Sequence, residues 1–152
     1  MGACSTAVTE LNPGIFQIRG LGGSSHSYVI KGDYMNVMID SGSDQNFPVL
    51  ERGLRHIGIK VRDVNLVINS HEHCDHIYGL ATLAKRLRIP VFMTGATYQV
   101  WQRAMRDKNG ERPKLEKFER FESGHSFQVG DIAVKPFTIP HDAADPVGFT
   151  FR

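Results

Sequence analysis

The chain has 152 residues, 41% of them hydrophobic and 22% charged, with a formal net charge of +2. Those values fit one soluble globular domain spanning residues 1–152. They exclude a strong global field for a polyanion, and no run approaches the roughly 18 apolar residues of a membrane span. Two cysteines, Cys4 and Cys74, make no disulfide framework. Residues 1–10 lack the charged and apolar regions of a signal peptide. A reduced, cytoplasmic setting is therefore expected.

In chain order, the first third reads as short antiparallel strands. Ile15–Arg19 and residues 28–31 are β-prone runs separated by Gly20, Gly22 and Gly23. Gly32 and Asp33 mark a turn before Asn36–Ile39, which Asp40-Ser41-Gly42 stops. Phe47, Leu50, Leu54 and Ile57 then recur at helical spacing, with Pro48 near the start and Gly58 at the end. An apolar run at 64–68 reads as a buried strand, and residues 77–87 as a second amphipathic helix. A strand at 91–93, a helix at 95–107 and an exposed polar excursion at 108–117 follow. The mixed-charge run 103–120 reads as a solvated face rather than a phosphate-binding surface. Phe118–Phe121, residues 132–139 and Val147–Phe151 read as late strands, with a hairpin turn at Gly130-Asp131. This order predicts an α/β fold, a mixed sheet with helices on one face.

The segment His71-Glu72-His73-Cys74-Asp75-His76 packs three imidazoles and two carboxylates into six residues. It leaves an apolar strand and enters an amphipathic helix, and a strand-end loop is a rigidly held place for a site. Imidazole nitrogen and carboxylate oxygen are suitable zinc ligands. Alternation along an extended segment points His71 and His73 the same way, leaving Asp75 and His76 to face a neighbouring position. Cys74 points away by the same alternation, and Glu72 is read as facing solvent or a nearby basic group.

His71-x-His73-x-Asp75-His76 resembles the signature of the metallo-β-lactamase superfamily. Asp40 in Ile39-Asp40-Ser41-Gly42 is similar to that family's earlier aspartate motif. The resemblance implies the αββα sandwich, of which this chain would hold the N-terminal half to two-thirds. It implies that His71 and His73 bind one metal with a later histidine, for which His141 after Ile139-Pro140 is the candidate. It also implies that Asp75 and His76 hold a second metal or orient the attacking water as catalytic residues. Three histidines with an open fourth position is the catalytic type of zinc geometry, and bound water would ionise near neutral pH. Mn²⁺ or Fe²⁺ suit the same donors. Asp40 is expected to organise its loop by accepting hydrogen bonds, and Asp142 to orient His141.

The stretch 139–149 and the sequence from Gly79 through Pro90 resemble a subgroup that includes WalJ/YycJ-like exonucleases. This implies a phosphodiester substrate. The stretch 24–31 and Ile39–Gly42 look as much like the glyoxalase II branch, which implies a thioester. The family's bridging aspartate and last histidine have no counterpart before Arg152. One tight metal and an incomplete second site are therefore expected, with a homodimer as one way to complete the fold and a catalytically poor metal-binding module as the reading from another class.

Overall fold

Ten strands and four α-helices make up the described residues of the computed structural model, 8–23, 25–105, 110 and 114–152. The chain opens as an antiparallel meander of β1 (Val8–Asn12), β2 (Ile15–Arg19), β3 (His26–Lys31) and β4 (Asn36–Ile39). Helical crossovers then take over. Helix α1 (Phe47–His56) leads to β5 (Leu66–Ile68), α2 (Cys74–Ile77) and α3 (Leu80–Leu87) lead to β6 (Val91–Thr94), and α4 (Gly95–Ala104) leads to β7 (Phe118–Phe121). Strands β4 to β7 run parallel, as helical crossovers require. The product is a seven-stranded mixed sheet in the order β1 to β7. Strands β8 (Phe127–Val129), β9 (Ile132–Thr138) and β10 (Val147–Phe151) form a second, antiparallel sheet in the order β10-β9-β8.

Side-chain alternation along the strands builds two cores. Ile18, Val29, Met38, Val67, Val91 and Met93 point from the large sheet to the helices, where Leu50, Leu54, Leu80, Leu83 and Trp101 meet them. Val37, Leu66 and Ile68 point to the other side and pack on Val129, Val134 and Val147 of the small sheet. Stacked Phe92, Phe127 and Phe121 fill this second core. The layers are therefore helices, large sheet, small sheet.

Several elements differ from the sequence reading. Strands β1 and β8 were not expected, because Val8–Asn12 is mostly exposed and polar and Phe127–Val129 has only three residues. The expected 77–87 helix divides into α2 and α3, because Gly79 N–H turns away to donate to the Gly42 carbonyl at 2.7 Å. Helix α2 starts at Cys74, so the chain is extended only as far as His73, whose ψ is 140°. Strand β5 is two residues shorter than expected, because 61–63 form a 3₁₀ turn. Helix α1 ends at His56, with Gly58 at φ 78° and Ile59 N–H returning to the Leu54 carbonyl. The expected 95–107 helix ends at Ala104; its last two residues, half of the 108–117 excursion and Cys4 lie outside the described residues.

Candidate metal centre

Parallel β4 and β5 end side by side, so the loops after Ile39 and Ile68 emerge at one sheet edge. The first loop carries Asp40 and the second carries 69–76. Strand β9 delivers a third loop, 139–146, from the small sheet. Val147 N–H donates to the Ser70 carbonyl at 3.1 Å and ties this loop to the second one.

Asp40 is buried and sits at φ 57°, a left-handed conformation that aspartate tolerates better than most residues. The strain is offset by four hydrogen bonds. Its Oδ1 accepts from Ser70 N–H at 2.8 Å and Asn69 Nδ2 at 3.4 Å. Its Oδ2 accepts from Ser70 Oγ at 2.7 Å and His76 Nδ1 at 2.9 Å. The acceptor role expected from the sequence is what this geometry shows.

These bonds also decide how the imidazoles are presented. The Ser70 hydroxyl gives its single proton to Asp40, so Ser70 Oγ accepts from His71 Nδ1 at 2.8 Å. That leaves His71 Nε2 as a lone pair, and this atom is buried without a hydrogen-bond partner among the described residues. His73 Nε2 lies 3.2 Å from the Asp142 carbonyl, and His141 Nδ1 lies 2.9 Å from Asp142 Oδ1. Each of the four histidines thus has one nitrogen engaged by an oxygen partner, and in His71, His73 and His141 the other remains available to a cation. This is the outer-partner pattern of metal-binding histidines.

His71, His73 and His141 converge, with pairwise ring centroids 4.7–4.8 Å apart. One donor atom from each lies within 4.8 Å of the others. A buried, partnerless nitrogen facing two further imidazoles fits a divalent cation. Asp40, His71 and His76 form a second group within the same limit. That group shares His71 with the first, and its carboxylate is already saturated by hydrogen bonds. Asp75 Oδ2 is 3.8 Å from His76 Nε2, but Asp75 belongs to neither group. Cys74 is exposed and outside both groups.

Burial, with the neighbouring His76, lowers the His71 pKa, and the Asp40 charge opposes this only in part. His71 is therefore neutral and ready to coordinate near pH 7. Burial also opposes protonation of His76, but the Asp40 hydrogen bond and the Asp40 and Asp75 charges outweigh it and raise its pKa.

Residues 20–152 match the family model of the Metallo-beta-lactamase superfamily. This chain belongs to that superfamily. Among curated relatives it is 30% identical to exodeoxyribonuclease YycJ of Bacillus anthracis, over 90% of this chain and 49% of that protein. It is 27% identical to exodeoxyribonuclease WalJ of Streptococcus pneumoniae over the same shares. A 62-residue stretch is 44% identical to the probable metallo-hydrolase MJ0888 of Methanocaldococcus jannaschii, covering 41% of this chain and 29% of that protein. Among solved structures, a metallo-beta-lactamase from Cronobacter sakazakii superposes with a TM-score of 0.77 at 18% identity, covering 95% of this chain and 59% of that one. The subclass B3 enzyme MEM-A1 from a soil metagenome library gives 0.74 at 24%, covering 91% and 55%. The chain spans about half the length of the curated relatives it matches.

Within this superfamily fold, two residues of the site were missed by sequence reasoning. Ser70 links Asp40 to His71, and its only sequence signal is its position just before the first histidine. Glu72 is not turned to solvent or to a base. Its Oε1 accepts from Ala144 N–H at 2.6 Å, and no local pattern announces a partner 72 residues away.

A cleft of about 590 Å³ opens beside the histidines. Ile15, Tyr28 and Ile30 of the large sheet line one wall, and Val147, Phe149 and Phe151 of β10 the other. Asp40, His71, His76 and His141 also line it, and among the described residues no lysine or arginine does.

Proposed function

We propose that this chain is the metal-holding part of a metal-dependent hydrolase acting on phosphodiesters. His71, His73 and His141 would hold one divalent cation, with zinc first and Mn²⁺ or Fe²⁺ as alternatives. A cation there would supply Lewis acidity and water made nucleophilic near neutral pH. Asp75 and His76 would hold a second cation weakly or orient the attacking water. Asp40 and Ser70 fix the ring orientations through the hydrogen bonds described above. The convergence of three imidazoles, each anchored from behind by oxygen, carries this reading. The phosphodiester part is supported by the two exodeoxyribonucleases that match 90% of this chain.

One observation favours a second reading. Among the described residues the cleft offers apolar and aromatic walls and no lysine or arginine, which suits the acyl group of a thioester better than a polyanion. Turnover of bis(p-nitrophenyl) phosphate, S-lactoylglutathione and a chromogenic cephalosporin, with and without chelator, separates the readings. Chelator-sensitive cleavage of the phosphodiester alone supports the first, and of the thioester alone the second. No turnover in any assay, with metal still held, identifies a binding module.

The chain would then work in the reducing cytoplasm, in keeping with a free, exposed Cys74. No helix among the described residues is long and apolar enough to cross a membrane. A second copy of the chain would sit on the cleft face. Among the described residues β10 pairs on one side only, and its other edge borders the apolar walls.

A further inference from the structure

Glu72 lies between two of the clustered histidines but its side chain serves another segment. Oε1 accepts the Ala144 N–H at 2.6 Å, a short bond from the backbone to a carboxylate. Oε2 is buried and has no hydrogen-bond partner among the described residues. A buried carboxylate oxygen without a partner is costly. The Ala144 bond is the compensation the structure shows.

Ala144 sits near the tip of the loop that carries His141. The base of that loop is closed by Ile139 N–H to the Pro146 carbonyl, and Val147 N–H to the Ser70 carbonyl, both at 3.1 Å. The tip is reached from the 71–76 segment by Glu72 at Ala144 and by His73 at the Asp142 carbonyl. The His73 contact belongs to a residue of the candidate metal group. The Glu72 contact does not, so it can hold the loop before any cation arrives.

We propose that Glu72 is a positioning residue: it latches the 139–146 loop through Ala144 and so delivers His141 to His71 and His73. This rests on the reading of those three histidines as a cation site, but the latch itself exists in the metal-free chain. Preorganising the loop removes an ordering cost from cation binding, so losing the latch weakens affinity without removing a ligand.

The test uses the full chain with Glu72→Ala, Glu72→Gln, His141→Ala and the Glu72→Ala/His141→Ala pair. In the chelator-treated chain, amide exchange at Ala144 should speed up about tenfold or more in Glu72→Ala, as expected when one strong hydrogen bond is lost from a local opening reaction. Glu72→Gln keeps an acceptor oxygen and should keep the protection. Zn²⁺ affinity, by competition with a chromophoric chelator, should fall roughly 10–100-fold in Glu72→Ala and stay within about threefold of the parent in Glu72→Gln. The visible spectrum of the Co²⁺ form should shift in Glu72→Ala toward that of His141→Ala, which a purely structural role would not produce. In the His141→Ala background, Glu72→Ala should add almost nothing. If Glu72→Ala does not fold, Glu72→Met keeps the volume and lacks the acceptor. Unchanged protection at Ala144, or losses that add in full on top of His141→Ala, overturns the latch. Parent protein that binds neither Zn²⁺ nor Co²⁺ while Glu72→Ala still frees the Ala144 amide refutes the cation reading and leaves the latch standing.

Discussion

Asp40 does the most at the scale of a single residue. Its carboxylate accepts from Ser70, Asn69 and His76 and thereby fixes two imidazoles on either side of it. The electrostatic consequence can be measured in the metal-free chain. The His71 ring should titrate below the usual histidine value of about 6.5, and His76 above it, by proton-detected NMR. The stability signs follow from linkage. The raised His76 contributes stability that is fully present below about pH 6.5 and lost as pH rises through its folded value. The lowered His71 contributes stability that is present above about pH 6.5 and lost as pH falls toward its folded value. Asp40→Asn removes the charge that raises His76 and leaves one acceptor oxygen in place of two. Its midpoint should drop, and the variant should lose more stability at about pH 5.5 than at about pH 8.5 in urea titrations. Ser70→Ala leaves His71 Nδ1 without its acceptor, and zinc affinity should fall on the order of tenfold in chelator competition.

At the scale of elements, the site depends on how α2 is held against the loop after β4. Ser41 and Gly42 N–H groups both donate to the His76 carbonyl, at 2.9 and 3.1 Å, and Gly79 N–H returns to Gly42. A Cβ on Gly79 would lie 2.7 Å from the Ser41 carbonyl oxygen and 3.0 Å from that of Gly42. Both are backbone atoms, so the loops must separate. Gly79→Ala should cost about 1–3 kcal/mol by chemical denaturation, the usual range for overpacking. It should also weaken metal binding, because the displaced loop carries Asp40. The same contacts explain why the expected single helix is two. The apolar spacing of Leu80, Leu83 and Leu87 is helical, but nothing in it shows that Gly79 N–H is needed by another segment.

For the whole molecule, two sheets enclose one core, and the helices cover only the far face of the larger sheet. Among the described residues nothing covers the cleft walls from Ile15 to Phe151, and an open apolar face favours association. Light scattering should show concentration-dependent dimers, which Phe149→Lys should disperse. A well-dispersed monomer at all concentrations would rule out the second copy. Metal analysis should find about one tightly held equivalent per chain, since the two candidate groups share His71 and a catalytic zinc site needs about three protein ligands.

The amino-acid order by itself determined the meander, the amphipathic helices and the 71–76 cluster. Those features rest on spacings of two, three and four residues, which backbone geometry converts directly into faces. It also marked His141 as a strand-end histidine, and the superfamily signature connected it to the cluster. Only the tertiary structure showed how the 139–146 loop meets the 71–76 segment, with Ala144 N–H donating to Glu72 Oε1. It alone showed that Ser70 sets the His71 tautomer and that the short β8 joins a second sheet. Contacts between segments some 70 residues apart depend on how two sheets pack, and a local pattern of residues does not encode the distance between them.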